Sequence, residues 1–209
     1  MEQINYFSQE QIFKEMRNLW IKHSWQDREA TISIINNLSS QQSSVNWALK
    51  TPRLIANVYR RYYTQQVSSK IENALVQHIK IAGDVITDSK MRNMHKLQVD
   101  TNQWYKNAND FAYLMGSINH YTPENKVSNM MKNHLALLSR MTTQMIQGAF
   151  DQSIDTFEQV LIEAEQMGDF FARGLINQFN IWQVKEKLIT WQWCKTLPNK
   201  KVFPKRLYY

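Results

Sequence analysis

Residues 122–148 read TPENKVSNMMKNHLALLSRMTTQMIQG, and this stretch decides the fold class. Thr122-Pro123-Glu124 has the form of a helix start, a capping residue followed by proline where the missing N–H costs nothing. Val127, Met131, Leu135, Leu138 and Met145 then recur three, four or seven residues apart, which places them on one face of an α-helix. Gly148 supplies the stop. A helix of this length with one apolar face needs other helices to cover it.

The same pattern extends in both directions. Downstream, Asp151 is placed to cap a helix over about 152–178, with Ile154, Phe157, Leu161, Met167, Phe171 and Leu175 inward. Upstream, Ser8-Gln9-Glu10-Gln11 has the form of a capping box and opens a first helix to about Asn37. Leu38 to Ser44 reads as a polar connector. Thr51-Pro52 repeats the cap-plus-proline signal and starts a short second helix through Leu54, Ile55, Val58 and Tyr59. Two further helices are predicted over about 65–88 and 90–116, the latter with Met94, Leu97, Trp104, Phe111 and Leu114 inward. Only 5 Gly and 4 Pro occur among 209 residues, too few for the turns of a many-stranded sheet. The expectation is an all-α, antiparallel up-and-down bundle of four to five long helices, with a short second helix and an added C-terminal helix.

Charge divides the chain. Lys185, Lys187, Lys195, Lys200, Lys201, Lys205 and Arg206 face Glu186 alone, so residues 180–209 carry +6 of the formal +7. Residues 8–179 are the bundle proper and near neutral, which weakens any nucleic-acid reading of the body. No apolar run approaches the ~20 residues of a membrane span. The N-terminal residues MEQINYFSQEQIF lack the order of a secretory signal, and a single cysteine, Cys194, excludes an internal disulfide and a cysteine-rich zinc site. These features predict a cytoplasmic protein, peripheral to a membrane if its tail binds one.

His23, His78, His134 and Glu163 fall near the middle of four long predicted helices. Mid-length residues of successive antiparallel helices lie at similar height, and bundle proteins build metal sites from such side chains. Imidazole and carboxylate ligands suit zinc, iron, manganese or nickel. Asp27 lies one turn after His23, and Asn107 and Asp110 are placed to support the ligands from the next helix. The competing interpretation is a hydrogen-bonded polar layer that binds nothing. No Glu-x-x-His pair, His-Glu-x-x-His motif, nucleophile elbow or phosphate-binding glycine loop is present, so no reaction is implied.

Three readings of the tail stay open. Trp182, Trp191 and Trp193, flanked by Lys185 and Lys187, suit an interfacial helix on an anionic membrane or a protein partner. The same residues suit a last helix packed on the bundle, and less well a contact with single-stranded nucleic acid. Two functions therefore compete: binding of a metal ion or small ligand at the central layer, and non-enzymatic docking through the tail.

Trp20-x-x-His23-x-Trp25-x-x-Arg28, Arg53-Leu54-Ile55-x-Asn57, Tyr62-Tyr63, His78-Ile79-x-Ile81-Ala82, Trp104-Tyr105-x-Asn107-Ala108-x-Asp110, Met131-Lys132-x-His134-Leu135, Met167-Gly168-Asp169 and Gly174-Leu175-Ile176-x-Gln178-Phe179 occur in that order. Taken together they resemble small uncharacterised helical-bundle proteins of Bacillus-type spore-forming bacteria, over roughly residues 10–179. The resemblance implies a helical bundle with the same polar positions and implies no activity. The chain departs from it in a shorter segment between Asn57 and Tyr62 and in the residues that follow Phe179.

Overall fold

The computed structural model describes residues 8–181. They form seven helices: α1 (Gln9–Ile35), α2 (Gln41–Ala48), α3 (Thr51–Arg60), α4 (Gln65–Met91), α5 (Met94–Ile118), α6 (Glu124–Ile146) and α7 (Phe150–Gln178). Among the described residues there is no strand, and no helix is long and apolar enough to cross a membrane. The five long helices make the bundle. The tail residues Trp182, Lys185, Lys187, Trp191 and Trp193 lie outside the described residues.

Local chemistry sets most helix ends. Ser8 and Gln11 form the reciprocal capping box, so two N-terminal N–H groups of α1 are satisfied. Thr64 and Asn93 cap α4 and α5 through their side chains. Arg92 takes the left-handed conformation that ends α4, and Gly148 does the same after α6, where only glycine is free of a Cβ penalty.

Several boundaries differ from the sequence pattern, each for a packing reason. The polar connector is in part a helix, since α2 starts at Gln41 and buries Ser44 and Ala48 against α1. The Ser33 and Ser44 hydroxyls meet at 3.0 Å there. Neither Thr51 nor Thr122 caps. Thr51 is the first residue of α3 and donates its buried hydroxyl to Gln26, while Pro123 occupies the cap of α6. Thr122 instead donates to the carbonyl of Met115 and closes the α5–α6 turn. Met94 and Ile154 were expected inward but are exposed. In α7 the inner face runs through Ser153, Phe157, Val160, Ala164, Met167 and Phe171, one position out of register with Ile154.

Successive helices α4 to α7 pack as antiparallel hairpins, and α7 returns against α1. Trp25 meets Phe157 and Trp20 stacks on Phe171, so α1 and α7 run in opposite directions. Gly168 permits this close crossing, because a Cβ there would lie 2.7 Å from the Arg17 Cα. Arg17 and Asp169 pair beside it. The α1–α4 pair is different. Lys90, at the end of α4, donates to the Ile34 carbonyl near the end of α1, so these two neighbours run parallel. The short helices α2 and α3 carry the chain back along the bundle and make this parallel pairing possible. Trp20, Ile71, Trp104, Met131, Leu135 and Phe171 are central in the core between them.

Candidate functional site

Each long helix contributes at least one polar residue to a single layer. α1 contributes His23, α4 His78, α5 Asn107, α6 His134 and α7 Glu163. The three histidines and Glu163 are buried. The His134 ring centre lies 5.9 Å from that of His23 and 6.3 Å from that of His78, so the imidazoles form a cluster around His134. Two tryptophans shield it from the sides: Trp20 is edge-on to His23 at 6.0 Å, and Trp104 lies 5.4 Å from His78.

The hydrogen bonds fix which ring nitrogen carries the proton. The Asn107 amide nitrogen donates to the Ala74 carbonyl at 3.1 Å, which turns its oxygen toward His78 Nδ1 at 3.0 Å. An amide oxygen only accepts, so Nδ1 is the protonated nitrogen and Nε2 carries a lone pair. Glu163 works in the same sense on His134. Its Oε1 accepts from Asn133 at 2.6 Å and its Oε2 lies 3.1 Å from His134 Nδ1. A carboxylate holding both contacts makes Nδ1 the donor and leaves Nε2 as a lone pair. The Nε2 atoms of His78 and His134 and the Nδ1 atom of His23 are all buried without a hydrogen-bond partner among the described residues. Buried polar atoms are paired in the great majority of cases, so three orphaned imidazole nitrogens in one cluster require a cause.

Asp27 lies one turn along α1, with Oδ2 3.2 Å from His23 Nε2. Among the described residues His23, Asp27 and His134 each offer a ligand atom, and these atoms lie within 4.8 Å of one another. His78 adjoins that group through His134.

Burial dominates the electrostatics. It drives the His23 pKa well below the ordinary value, aided by repulsion from His134 and His78. It also lowers His78 to about 3, aided by His134 and opposed by the hydrogen bond to Asn107. Burial raises Asp27 to about 7, with His134 acting the other way. Without a cation, then, His23 and His78 are neutral lone-pair donors near pH 7, and Asp27 is poised between acid and carboxylate.

The structure brings His23, His78, His134, Glu163, Asp27 and Asn107 together. Glu163 was expected among the ligands, and its two oxygens contact Asn133 and His134 Nδ1. Asp27 was expected in support and is the carboxylate that faces the imidazole nitrogens. Asp110 is not part of the layer: it is exposed and pairs with Lys106 at 2.6 Å. Sequence reasoning did not find Asn133, which clamps Glu163, or the shielding roles of Trp20 and Trp104. Asn133 directly precedes His134, and each tryptophan lies within a turn of His23 or Asn107, so spacing alone could have suggested them.

Comparison with known protein families, with curated proteins and with solved structures finds no match to this chain.

Proposed function

We propose that this protein binds one divalent transition-metal ion through His23, His78 and His134, with Asp27 as the carboxylate donor. One observation carries the reading. The Nδ1 atoms of His78 and His134 are held as donors by Asn107 and Glu163, and the opposite nitrogens are left as buried lone pairs with no donor to accept from. Metal-binding histidines have this arrangement, in which an outer carboxylate or amide fixes the tautomer and raises the basicity of the ligating nitrogen. A layer serving only to hold the helices together would pair those nitrogens, because each unpaired buried group costs roughly 1–3 kcal/mol.

A cation meets the demand of the unpaired imidazole nitrogens. It gives each lone pair a partner, and its charge favours the ionised form of Asp27. Imidazole with one carboxylate suits zinc, iron, manganese or nickel, and the donor set does not distinguish them. Three neutral imidazoles and one carboxylate leave net positive charge on a divalent ion, which can then accept a further anionic donor.

Elemental analysis of the full chain, purified without a metal-affinity tag, tests the proposal. One equivalent of metal is expected in the wild type and less than a tenth of that in His134→Ala or His78→Ala. Metal-free wild-type protein from metal-replete medium, with no uptake on titration, overturns it.

A further inference from the structure

A partly open cavity of about 750 Å³ adjoins the histidine layer, walled by α1, α4, α5 and α6 with α2 at one side. Its size falls in the range of small-molecule sites, roughly 300–1,000 Å³. Asp27 and Trp104 belong both to its wall and to the layer, so the cavity borders the layer at these two residues. The rest of the wall is mixed: Ala30, Ile34, Ile79, Val85 and Leu138 give it an aliphatic part, and Thr31, Thr101 and Thr142 are among its polar residues.

Two features of the wall point to an occupant. Trp104 is almost completely buried, and its indole N–H has no hydrogen-bond partner among the described residues. Gly83 lies in the interior of α4 and lines the cavity, and a Cβ added there would meet nothing within 4 Å. Glycine weakens a helix interior and is usually explained by close packing or a special backbone angle. Neither applies at Gly83, whose missing side chain leaves space in the wall.

Building on the metal reading above, we infer that this cavity binds a small monocarboxylic acid with a hydrocarbon body, its carboxylate on the metal ion. The aliphatic part of the wall accommodates the body, and among the described residues Lys80 is the one cation of the lining, too few for a phosphate or a polyanion. A carboxylate has two acceptor oxygens, one for the cation and one for the unpaired Trp104 N–H. It is also the single negative charge that balances a divalent ion already holding Asp27. A primary alcohol of the same length keeps the body and lacks the charge, whereas acetate keeps the charge and lacks the body.

Calorimetric titration of the zinc-loaded full chain with octanoate tests this, with octan-1-ol and acetate as controls. Octanoate is expected to bind at least about tenfold more tightly than either control, and to lose that advantage when zinc is removed. Gly83→Phe and Thr142→Leu fill the cavity from α4 and α6, and each is expected to weaken octanoate by about tenfold or more. Trp104→Phe is expected to weaken it by about tenfold, the scale of one hydrogen bond to a charged group. Zinc stoichiometry and helix content, measured on the same samples, are expected to match wild type in Gly83→Phe and Thr142→Leu. Zinc binding without octanoate binding overturns the inference and leaves the metal reading standing. Octanoate binding undiminished in both cavity-filling variants does the same. Absence of zinc binding overturns both.

Discussion

Replacing His78 by asparagine in metal-free protein isolates the energetic consequence of a buried neutral imidazole. The asparagine amide can still donate toward Asn107, so the substitution removes the titrating group while keeping the hydrogen bond that positions it. Burial lowers the folded-state pKa of His78 to about 3, against about 6.5 for an unfolded histidine. Between those values the unfolded chain binds a proton at this position and the folded chain does not. Stability therefore rises with pH across the window and is fully present above 6.5. One proton corresponds to about 1.4 kcal/mol per pH unit, and the unfolded imidazole is already half protonated at pH 6.5, so lowering the pH to 4.5 costs the wild type about 2.3 kcal/mol that the variant does not lose. His23, shifted the same way, and Asp27, shifted the opposite way, remain in both proteins and largely cancel from the difference. Urea unfolding at pH 6.5, 5.5 and 4.5 in the presence of a chelator measures it. With a slope of about 2 kcal/mol per molar urea, the gap between the two midpoints changes by about 1 M. Midpoints that fall in parallel for the two proteins would show that His78 is not held neutral, and the argument for its free lone pair would fail.

Glu163→Gln keeps the shape of the side chain that orients His134 and removes its charge, so zinc affinity is expected to fall about 10- to 100-fold with unchanged stoichiometry, read by competition with a chromophoric chelator. Metal at 100 times its dissociation constant is expected to stabilise the wild type by about 2.7 kcal/mol, visible as a higher melting temperature that His134→Ala does not share. Gly168→Ala brings a Cβ to 2.7 Å from the Arg17 Cα, which forces α1 and α7 apart, and urea unfolding is expected to show a loss of about 1–3 kcal/mol. Leu135→Ala opens a void in the core directly beside His134 and is expected to cost about 2–5 kcal/mol by the same measurement.

The fold was legible because its signals are local. Capping at Ser8 and an apolar stripe from Val127 to Met145 need no knowledge of what packs against them. The layer was legible for a cruder reason: His23, His78 and His134 lie near the middle of their helices, and similar height in a bundle follows from that. What stayed hidden depends on rotation about the helix axis. Asp110 is three residues from Asn107, yet the buried face of α5 runs through Trp104, Ala108 and Phe111 and leaves Asp110 in solvent. Ile154 fails similarly, because Ser153 and Phe157 set the inward face of α7. The hydrogen bonding of Glu163 was beyond sequence altogether. It turns on Asn133, whose amide engages the second Glu163 oxygen and commits that carboxylate to His134.

The parallel pairing of α1 and α4 explains how such a layer can sit beside an open cavity. In an up-and-down ring, every neighbour is joined by a short turn that draws the pair together along its length. Here α1 and α4 are joined only through α2 and α3, and it is α1 and α4 that supply Asp27, Gly83 and much of the cavity wall. The remaining helices are tied by tight turns and by close crossings such as Gly168 on Arg17, and they hold His134, Glu163 and Asn107 in fixed positions. The layer therefore combines an ordered side with a seam that has room for a ligand. A cation shared by His23, His78 and His134 would bridge that seam, because two of its ligands come from α1 and α4 and the third from α6. Its stabilising effect should accordingly be greatest on the α1–α4 pairing. Amide exchange in the flanking turns of those two helices should slow with zinc more than exchange in α7, and equal slowing throughout would argue that the ion does not join them.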